Sequence, residues 1–237
     1  MSDVRYVELS HAIADGMPVF PGLERPRITA FLDHEQSRPH YEGQAEFCIS
    51  KVEMVGNTAT YLDSPYHRYR DGRDLSEIAL EAVAGLAGVV LDGRIDSDRA
   101  VSLEVDDSQL SGRAVLLRTG WDARWGADAY WEPGPYISRE ALDVLVRARP
   151  KLVGVDFWNV DDTSDPTRRV HTRLLAEEIL IVEHLCNLDV LPEEGFRFFA
   201  VPLRVVTGAS LPVRAFAELV PDSARDEGRA LKPSTTR

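Results

Sequence analysis

Five ionisable side chains, in two segments of this sequence, have the types and spacing of an acid-base or metal site. The first segment, GNTATYLDSPYH at 56–67, places Tyr61 and Asp63 two residues apart, a spacing that puts both on one face of a strand. His67 follows four residues after Asp63, and the intervening Ser-Pro pair favours an extended backbone that would hold carboxylate and imidazole together. Such a group predicts proton transfer or metal binding, although an Asp before Ser-Pro is also typical of a turn.

The second segment, RRVHTRLLAEEILIVEHL at 168–185, contains an imidazole and a carboxylate in a strongly apolar setting. His171 opens a predicted short helix, and Glu183 ends the apolar run ILIV, which predicts a buried strand. A carboxylate at a buried strand end needs a cation, a metal ion or a proton. A salt bridge to Arg168, Arg169 or Arg173 is the structural alternative.

The remaining histidines stand in polar or loop contexts, for which we expect surface or capping roles: His11, His34, His40 and His184. For His184, which follows Glu183 directly, a supporting position behind the site is the alternative to the surface. Cys48 and Cys186 each lie in an apolar segment, so we expect two buried thiols rather than a disulfide or a cysteine zinc site.

The elements that must position these groups are mostly strands, and we predict a strand-rich α/β chain. Apolar runs predict strands at 4–9, 27–33, 46–54, 88–92, 114–119, 152–156, 180–183, 196–206 and 213–219. The clearest predicted helices are 76–84, capped by Ser76, and 138–149, capped by Ser138. Long polar loops at 10–26, 121–136 and 157–171 are expected to line a pocket.

Aromatic residues in those loops are candidates for contact with a ligand. We predict substrate contacts for Phe20, Trp121 and Trp158, together with Asn57 of the first segment, while packing of loop onto core is the alternative for each tryptophan.

Length and charge limit the class of protein. With 237 residues, of which 44% are hydrophobic, the chain can form one domain with a buried core, predicted at 1–221, and a polar tail at 222–237 is expected to be disordered. A formal net charge of −12 disfavours nucleic acid and anionic membranes as partners, which leaves small molecules. No export signal or membrane-spanning run is evident, so we expect a cytoplasmic protein.

From Tyr6 to about Leu219 the chain resembles the Putative cyclase family, which includes bacterial kynurenine formamidases and isatin hydrolases. The segments that carry the resemblance are ELSHAIADGMPVFPG, TATYLDSPYHRYRDGRDL, AVLLRTGWDARWG, KLVGVDFWNVDD, VHTRLL, ILIVEHLCNL and VPLRVVTGASLPVRAFAEL, in family order. The resemblance implies a layered β/β/α, swivelling-type fold with a mixed, barrel-like sheet in a single domain, and assembly as a homodimer or homotetramer.

The resemblance also implies a divalent metal, zinc or manganese, with Asp63, His171 and Glu183 as ligands and His67 as the catalytic base or acid. Asn57 and Tyr61 stand where the family signature has two histidines, and Ala59 stands where it has glycine. Neither an amide oxygen nor a neutral phenol replaces an imidazole ligand well.

Three functions are compatible with these residues. One is a hydrolase of amides, lactams or related C–N or C–O bonds that uses a reduced, mononuclear metal site. The second is a metal-free lyase, isomerase or cyclase in which Tyr61, His67 and Asp63 transfer protons with the residual carboxylate and imidazole. The third is a non-catalytic binding homologue.

Overall fold

The computed structural model describes residues 4–219 and shows a mixed α/β fold dominated by a curled nine-stranded sheet. The predicted extent of the domain beyond these residues and the predicted disorder at 222–237 lie outside the described residues. The strands are β1 Arg5–Glu8, β2 Arg27–Leu32, β3 Ile49–Glu53, β4 Tyr61–Asp63, β5 Leu86–Asp92, β6 Arg94–Ile95, β7 Ala100–Ser102, β8 Ala114–Arg118, β9 Tyr136–Ile137, β10 Leu152–Val155, β11 Leu180–Glu183, β12 Glu194–Phe199, β13 Ser210–Pro212 and β14 Phe216–Leu219.

The large sheet has the order β1-β14-β12-β5-β8-β10-β11-β4-β13. Its centre is parallel, from β5 through β8 and β10 to β11, and all its other pairings are antiparallel. Strands β2 and β3 form a separate hairpin, and β6, β7 and β9 form a small third sheet.

Three α-helices occur in the described chain, namely α1 His34–Ser37, α2 Arg139–Ala148 and α3 Arg169–Ala176. The Ser138 hydroxyl accepts a hydrogen bond from the Ala141 amide, so α2 begins as its predicted cap indicates. Short 3-10 turns cover Arg38–Tyr41, Pro65–His67, Leu80–Ala82, Asp107–Gln109, Trp121–Arg124, Asp128–Trp131 and Leu188–Val190. Within residues 4–219 no helix has the length and apolar character needed to cross a bilayer.

The parallel centre is buried on both faces, which explains why its strands read as continuous apolar runs. Val115 and Leu117 of β8 pack into one core cluster with Leu142 and Leu145 of α2, while Leu116 packs into a second cluster with Phe198 of β12. Alternation along a strand sends neighbouring side chains to opposite faces, so one short strand contributes to both clusters.

Strand β4 connects this core to the candidate site because it lies between β11 and β13. Tyr61 pairs in register with Glu183 on one side, and Asp63 pairs with Ser210 on the other. A Cβ atom at position 56 would overlap the Ser210 carbonyl oxygen, so a glycine is required where the chain approaches β13.

The predicted helix at 76–84 is wrong. Asp74 accepts hydrogen bonds from both the amide and the hydroxyl of Ser76, which closes a turn, and only the 3-10 turn Leu80–Ala82 follows. Side-chain hydrogen bonds of this kind compete with helix formation, and here they prevail over the apolar spacing.

Two further expectations fail. The strand predicted over 196–206 ends at Phe199, and the chain that follows has no sheet pairing up to Val205 and passes through Pro202, which lacks the amide donor that a strand needs. Cys48 is exposed, since it precedes a hairpin strand that is solvated on both faces, whereas Cys186 is buried as expected.

Candidate active site

Asp63 lies at the bottom of the site, at the end of β4, with its side chain fully buried. Its Oδ1 accepts a hydrogen bond from the Ser210 hydroxyl and lies 3.6 Å from His67 Nδ1. The same Ser210 hydroxyl lies 3.1 Å from His67 Nδ1, so it connects carboxylate and imidazole. The predicted proximity of Asp63 and His67 is therefore confirmed in geometry.

The other Asp63 oxygen, Oδ2, is buried and has no hydrogen-bond partner among the described residues. His171 Nε2 lies 3.5 Å from it and is also 3.5 Å from Glu183 Oε1. Buried carboxylate oxygens nearly always have a partner, so an orphaned one identifies a place that can take a cation or a donor from a ligand.

His171 is fixed by Asp161, a residue that the sequence alone does not single out. Asp161 Oδ2 lies 2.7 Å from His171 Nδ1, and Oδ1 accepts a hydrogen bond of 2.6 Å from the Val170 amide at the start of α3. This contact sets the orientation of the ring and turns Nε2 towards Asp63 and Glu183. In the sequence, Asp161 is an acid in a polar loop ten residues before His171, and no local periodicity distinguishes it from the other residues of that loop.

Glu183 is fully buried, as predicted, but both of its oxygens already have donors. The Tyr61 hydroxyl donates to Oε2, and the Val160 amide donates to Oε1 at 2.7 Å. The structural alternative of a salt bridge to Arg168, Arg169 or Arg173 does not occur, since the cation nearest its carboxylate is the His171 imidazole.

Three carboxylates around His171 make this point of the site strongly negative. Burial alone would lower the pKa of His171, but Glu183, Asp161 and Asp63 together raise it to about 10. Burial would likewise raise the pKa of Asp63, yet the His171 imidazole 3.5 Å from its Oδ2 and the charge of His67 hold it below its usual value. Burial, assisted by Asp63, raises the pKa of Glu183, which His171 offsets only in part. The cluster therefore favours a positive charge at His171, either a proton on its ring or a metal ion bound to it.

The donor set that best fits a metal ion is Asp63, His67 and His171, whose ligand atoms lie within 4.8 Å of one another. Burial lowers the pKa of His67 despite the opposing charge of Asp63, which favours the neutral imidazole that a metal requires. One carboxylate and two imidazoles suit zinc, manganese or iron in the divalent state. The predicted ligands Asp63 and His171 belong to this set; Glu183, the third predicted ligand, lies outside it and accepts hydrogen bonds from Tyr61 and Val160.

A cavity of about 250 Å³ opens above these groups. Its lining consists of Phe20, Leu23, Asn57, Tyr61, His67, Arg68, Trp158, Asn159, Arg168, His171 and His184. The rings of Phe20 and Trp158 lie 5.5 Å apart, and the Trp158 indole donates to the Glu132 carbonyl at 3.0 Å, which fixes its orientation. Three of the four predicted substrate contacts, Phe20, Asn57 and Trp158, thus lie in one pocket.

Trp121, the fourth, does not line this cavity. Its indole donates to the Tyr130 carbonyl at 3.1 Å, its ring lies under Arg124, and it packs against the core cluster that contains α2. Loop-to-core packing, the alternative interpretation, describes this residue better.

His184 lies in the cavity wall itself, rather than at the surface or behind the site. It is buried and lines the cavity, and its Nδ1 shares a hydrogen bond of 2.8 Å with the Tyr130 hydroxyl. Burial lowers its pKa to about 3, so it is neutral. Its φ of 60° ends the strand after Glu183 and turns the ring inward, which strand alternation alone would not indicate.

A larger cavity, of about 530 Å³, lies far from these residues at the β1–β14 edge of the sheet. Its charged residues pair at the surface, Glu8 with Arg214 and Glu218 with Arg197, and no buried titratable cluster lines it among the described residues. The smaller cavity, where catalytic side-chain types converge, is therefore the candidate active site.

Fold and site together define a mixed α/β protein in which a buried cluster of carboxylates and imidazoles opens into an aromatic pocket, as is typical of enzymes that act on small molecules. Residues 7–162 match the family described as Putative cyclase, and the chain belongs to that family.

The similar proteins are enzymes of related size. A kynurenine formamidase of Erythrobacter litoralis is 30% identical over 94% of this chain and 97% of its own length. Isatin hydrolase A of Labrenzia aggregata, solved with bound benzyl benzoate, is 25% identical, covers 92% of this chain and 94% of its own, and superposes with a TM-score of 0.76. A structure described as a potential metal-dependent hydrolase with cyclase activity has a TM-score of 0.72 at 19% identity over 92% of this chain and all of its own, which shows the fold alone.

Proposed function

We propose that this protein is a metal-dependent hydrolase that cleaves an amide, lactam or related bond in a small aromatic compound. The observation that carries the proposal is the convergence of Asp63, His67 and His171, with an orphaned carboxylate oxygen, beneath an aromatic pocket. The names of the relatives, a formamidase and an isatin hydrolase, support an amide or lactam as the bond that is cleaved.

In this proposal Asp63, His67 and His171 would hold one divalent ion, so the site is mononuclear and Asn57 and Tyr61 are free for other roles. When bound, such an ion supplies a Lewis acid that polarises the substrate carbonyl. Asp161 keeps the His171 ring in the ligating orientation, and Ser210 does the same for Asp63 and His67.

Proton transfer falls to Tyr61 and Glu183. Tyr61 lines the pocket and Glu183 does not, so the Tyr61 hydroxyl is the group that meets water and substrate. As water adds to the carbonyl carbon, the phenol takes its proton and passes its own proton to Glu183, whose raised pKa suits it to receive one. The reverse transfer protonates the leaving nitrogen as the C–N bond breaks, which restores both groups.

Phe20 and Trp158 would hold the flat body of the substrate against the reactive centre. Neutral His184, bonded to Tyr130, offers its second ring nitrogen to the pocket as a further polar contact. An assembly of two or four subunits remains part of the proposal on family grounds, and so does the cytoplasm as its location.

A second candidate function is a metal-independent lyase, isomerase or cyclase. The hydrogen bond between Tyr61 and Glu183 favours it, because a phenol paired with a buried carboxylate is a proton-transfer couple that needs no ion.

Elemental analysis of the purified protein, followed by hydrolysis assays with formanilide and isatin, tests the first proposal against the second. We expect about one divalent ion per chain and turnover that is lost after chelation and restored by adding the metal. Asp63→Asn should lose both ion and turnover, whereas Asp71→Asn, which changes an exposed acid in the next turn, should keep both. Turnover of either compound by fully chelated, metal-free protein would contradict the proposal.

A further inference from the structure

The lining of the candidate pocket contains two arginines, although the chain as a whole is strongly acidic. Arg68 and Arg168 both line the cavity, and among its lining residues in the described chain there is no Asp or Glu. The whole sequence has 39 acidic against 27 basic residues, so this local excess of positive charge opposes the overall balance. The two guanidinium groups can attract an anionic group to their part of the cavity, apart from the carboxylates around His171.

Arg168 has a polar atom without a partner. Its Nη1 is buried and makes no hydrogen bond to any described residue. Asp165, the acid closest to it along the chain, instead accepts hydrogen bonds from Thr167 and Arg169. A buried donor of a charged group that lacks an acceptor in the protein is suited to an acceptor on a ligand.

The backbone holds Arg168 in place at the start of α3. Its φ of 46° is in the left-handed region, which is strained for a residue other than glycine. The Arg168 carbonyl accepts hydrogen bonds from the Thr172 amide at 3.0 Å and from the Thr172 hydroxyl at 2.7 Å. That hydroxyl also accepts a bond of 3.2 Å from Arg68 Nη2, so one threonine contacts the Arg68 guanidinium and the Arg168 backbone.

We propose that Arg168, with Arg68 beside it, is a carboxylate-binding subsite, so that the substrate of this enzyme is an aromatic acid rather than a neutral aromatic amide. A guanidinium matches a carboxylate with two parallel hydrogen bonds, and the rings of Phe20 and Trp158 provide the apolar contact for the body that carries it. The proposal rests on the proposed function only for the reactive end of the substrate, because the anion contact is separate from the Asp63 cluster.

Calorimetric titration with benzoate and with its neutral analogue benzamide tests the subsite without requiring turnover. We expect wild-type protein to bind benzoate at least tenfold more tightly than benzamide. Arg168→Gln should abolish this preference, and Arg168→Lys should keep part of it, since charge remains but the planar fork is lost. Arg169→Gln is the matched control, because it removes a neighbouring cation that pairs with Asp165 outside the pocket, and it should keep the full preference.

Thermal unfolding of each variant shows whether it is folded before titration. If Arg168→Gln does not fold, the benzoate preference is measured with Arg168→Lys instead. An undiminished benzoate preference in a folded Arg168→Gln protein would overturn the proposal. Tighter Arg168-dependent binding of phenyl phosphate than of benzoate would overturn the assignment to carboxylates. The hydrolysis assay distinguishes failure of the subsite from failure of the proposed function. Arg168-dependent benzoate binding without any amide hydrolysis would support the subsite and reject the proposed function. Equal hydrolysis of formanilide and 2-formamidobenzoate by wild-type protein would support the proposed function and reject the subsite.

Discussion

Tyr61 and Glu183 face each other in register on neighbouring antiparallel strands, and the Tyr61 hydroxyl donates a hydrogen bond to Glu183 Oε2. Both side chains are buried, and each affects the protonation of the other. Burial, with the charges of Glu183 and Asp63, raises the pKa of Tyr61 well above its ordinary value, so the phenol keeps its proton until Glu183 accepts one. In the proposed mechanism this pair transfers the proton, and the neighbouring group Asp63, His67 and His171 would hold the ion.

Tyr61→Phe should leave the fold and the metal content intact and lower hydrolysis by about 10²-fold or more, because the relay to Glu183 is lost. Removal of the donor from a buried carboxylate should also lower the free energy of unfolding by about 1–3 kcal/mol. Initial rates and urea denaturation measure the two effects. Tyr6→Phe, which changes a phenol that is 61% exposed at the far edge of the sheet, is the control and should change neither. A fully active Tyr61→Phe enzyme would remove the phenol from the mechanism.

Asp161→Asn should weaken metal binding by about 10-fold to 100-fold, because the residue that orients a ligating histidine then no longer carries a negative charge beside its ring. Competition with a metal-sensitive dye measures the dissociation constant. The control is Asp162→Asn, an adjacent acid that lies 3.8 Å from Arg99 rather than beside His171. Equal metal affinity in Asp161→Asn and wild-type protein would mean that His171 is not a ligand or is oriented by other contacts.

Phe20→Ala should raise KM for an aromatic amide by about tenfold, since a ring that contacts the flat body of the substrate is removed, and should change kcat less. Steady-state kinetics with formanilide provide both constants. Phe31→Ala is the matched control, because that ring is 72% exposed on the β2–β3 hairpin and should have no kinetic effect. A KM that does not change would place the substrate elsewhere in the cavity.

Asp156 should make stability depend on pH. Burial raises the pKa of this carboxyl to about 6 from 3.8, although it accepts hydrogen bonds from Thr119 and the Gly120 amide. Between about pH 4 and 6 the folded state therefore binds more protons than the unfolded state, so the contribution of Asp156 to the free energy of unfolding falls as pH rises through this window and is constant above it.

The size of this effect is about 3 kcal/mol. Urea denaturation of wild-type and Asp156→Asn proteins at pH 4 and pH 7 measures it, because the asparagine does not titrate. The difference in unfolding free energy, wild-type minus variant, should be smaller at pH 7 than at pH 4. The same difference at both values would show that the hydrogen bonds to Asp156 keep its pKa near 3.8.

Much of the fold follows from local patterns in the sequence. The apolar runs of β8, β10 and β11 predict strands because a parallel sheet that is buried on both faces requires continuous apolar side chains, and Ser138 predicts the start of α2 because its hydroxyl caps an unpaired amide. The helix expected at 76–84 fails because the Asp74 side chain bonds to Ser76, a competing local contact that apolar spacing does not reveal.

By itself, the sequence determined the candidate residues, because residue type, apolar context and family resemblance point to Asp63, His67, His171 and Glu183. Only the tertiary structure decided which of these side chains form hydrogen bonds with each other and which keep an atom without a partner. Strand register brings Ser210 to Asp63 across 147 residues and Tyr61 to Glu183 across 122, so both Glu183 oxygens accept hydrogen bonds while Asp63 Oδ2 has no donor among the described residues. Asp161, His184 and Arg168 enter the site through loop and helix-start geometry in the same way. Such contacts depend on long-range pairing and on backbone angles of single residues, and neither is encoded in a local pattern of residue types.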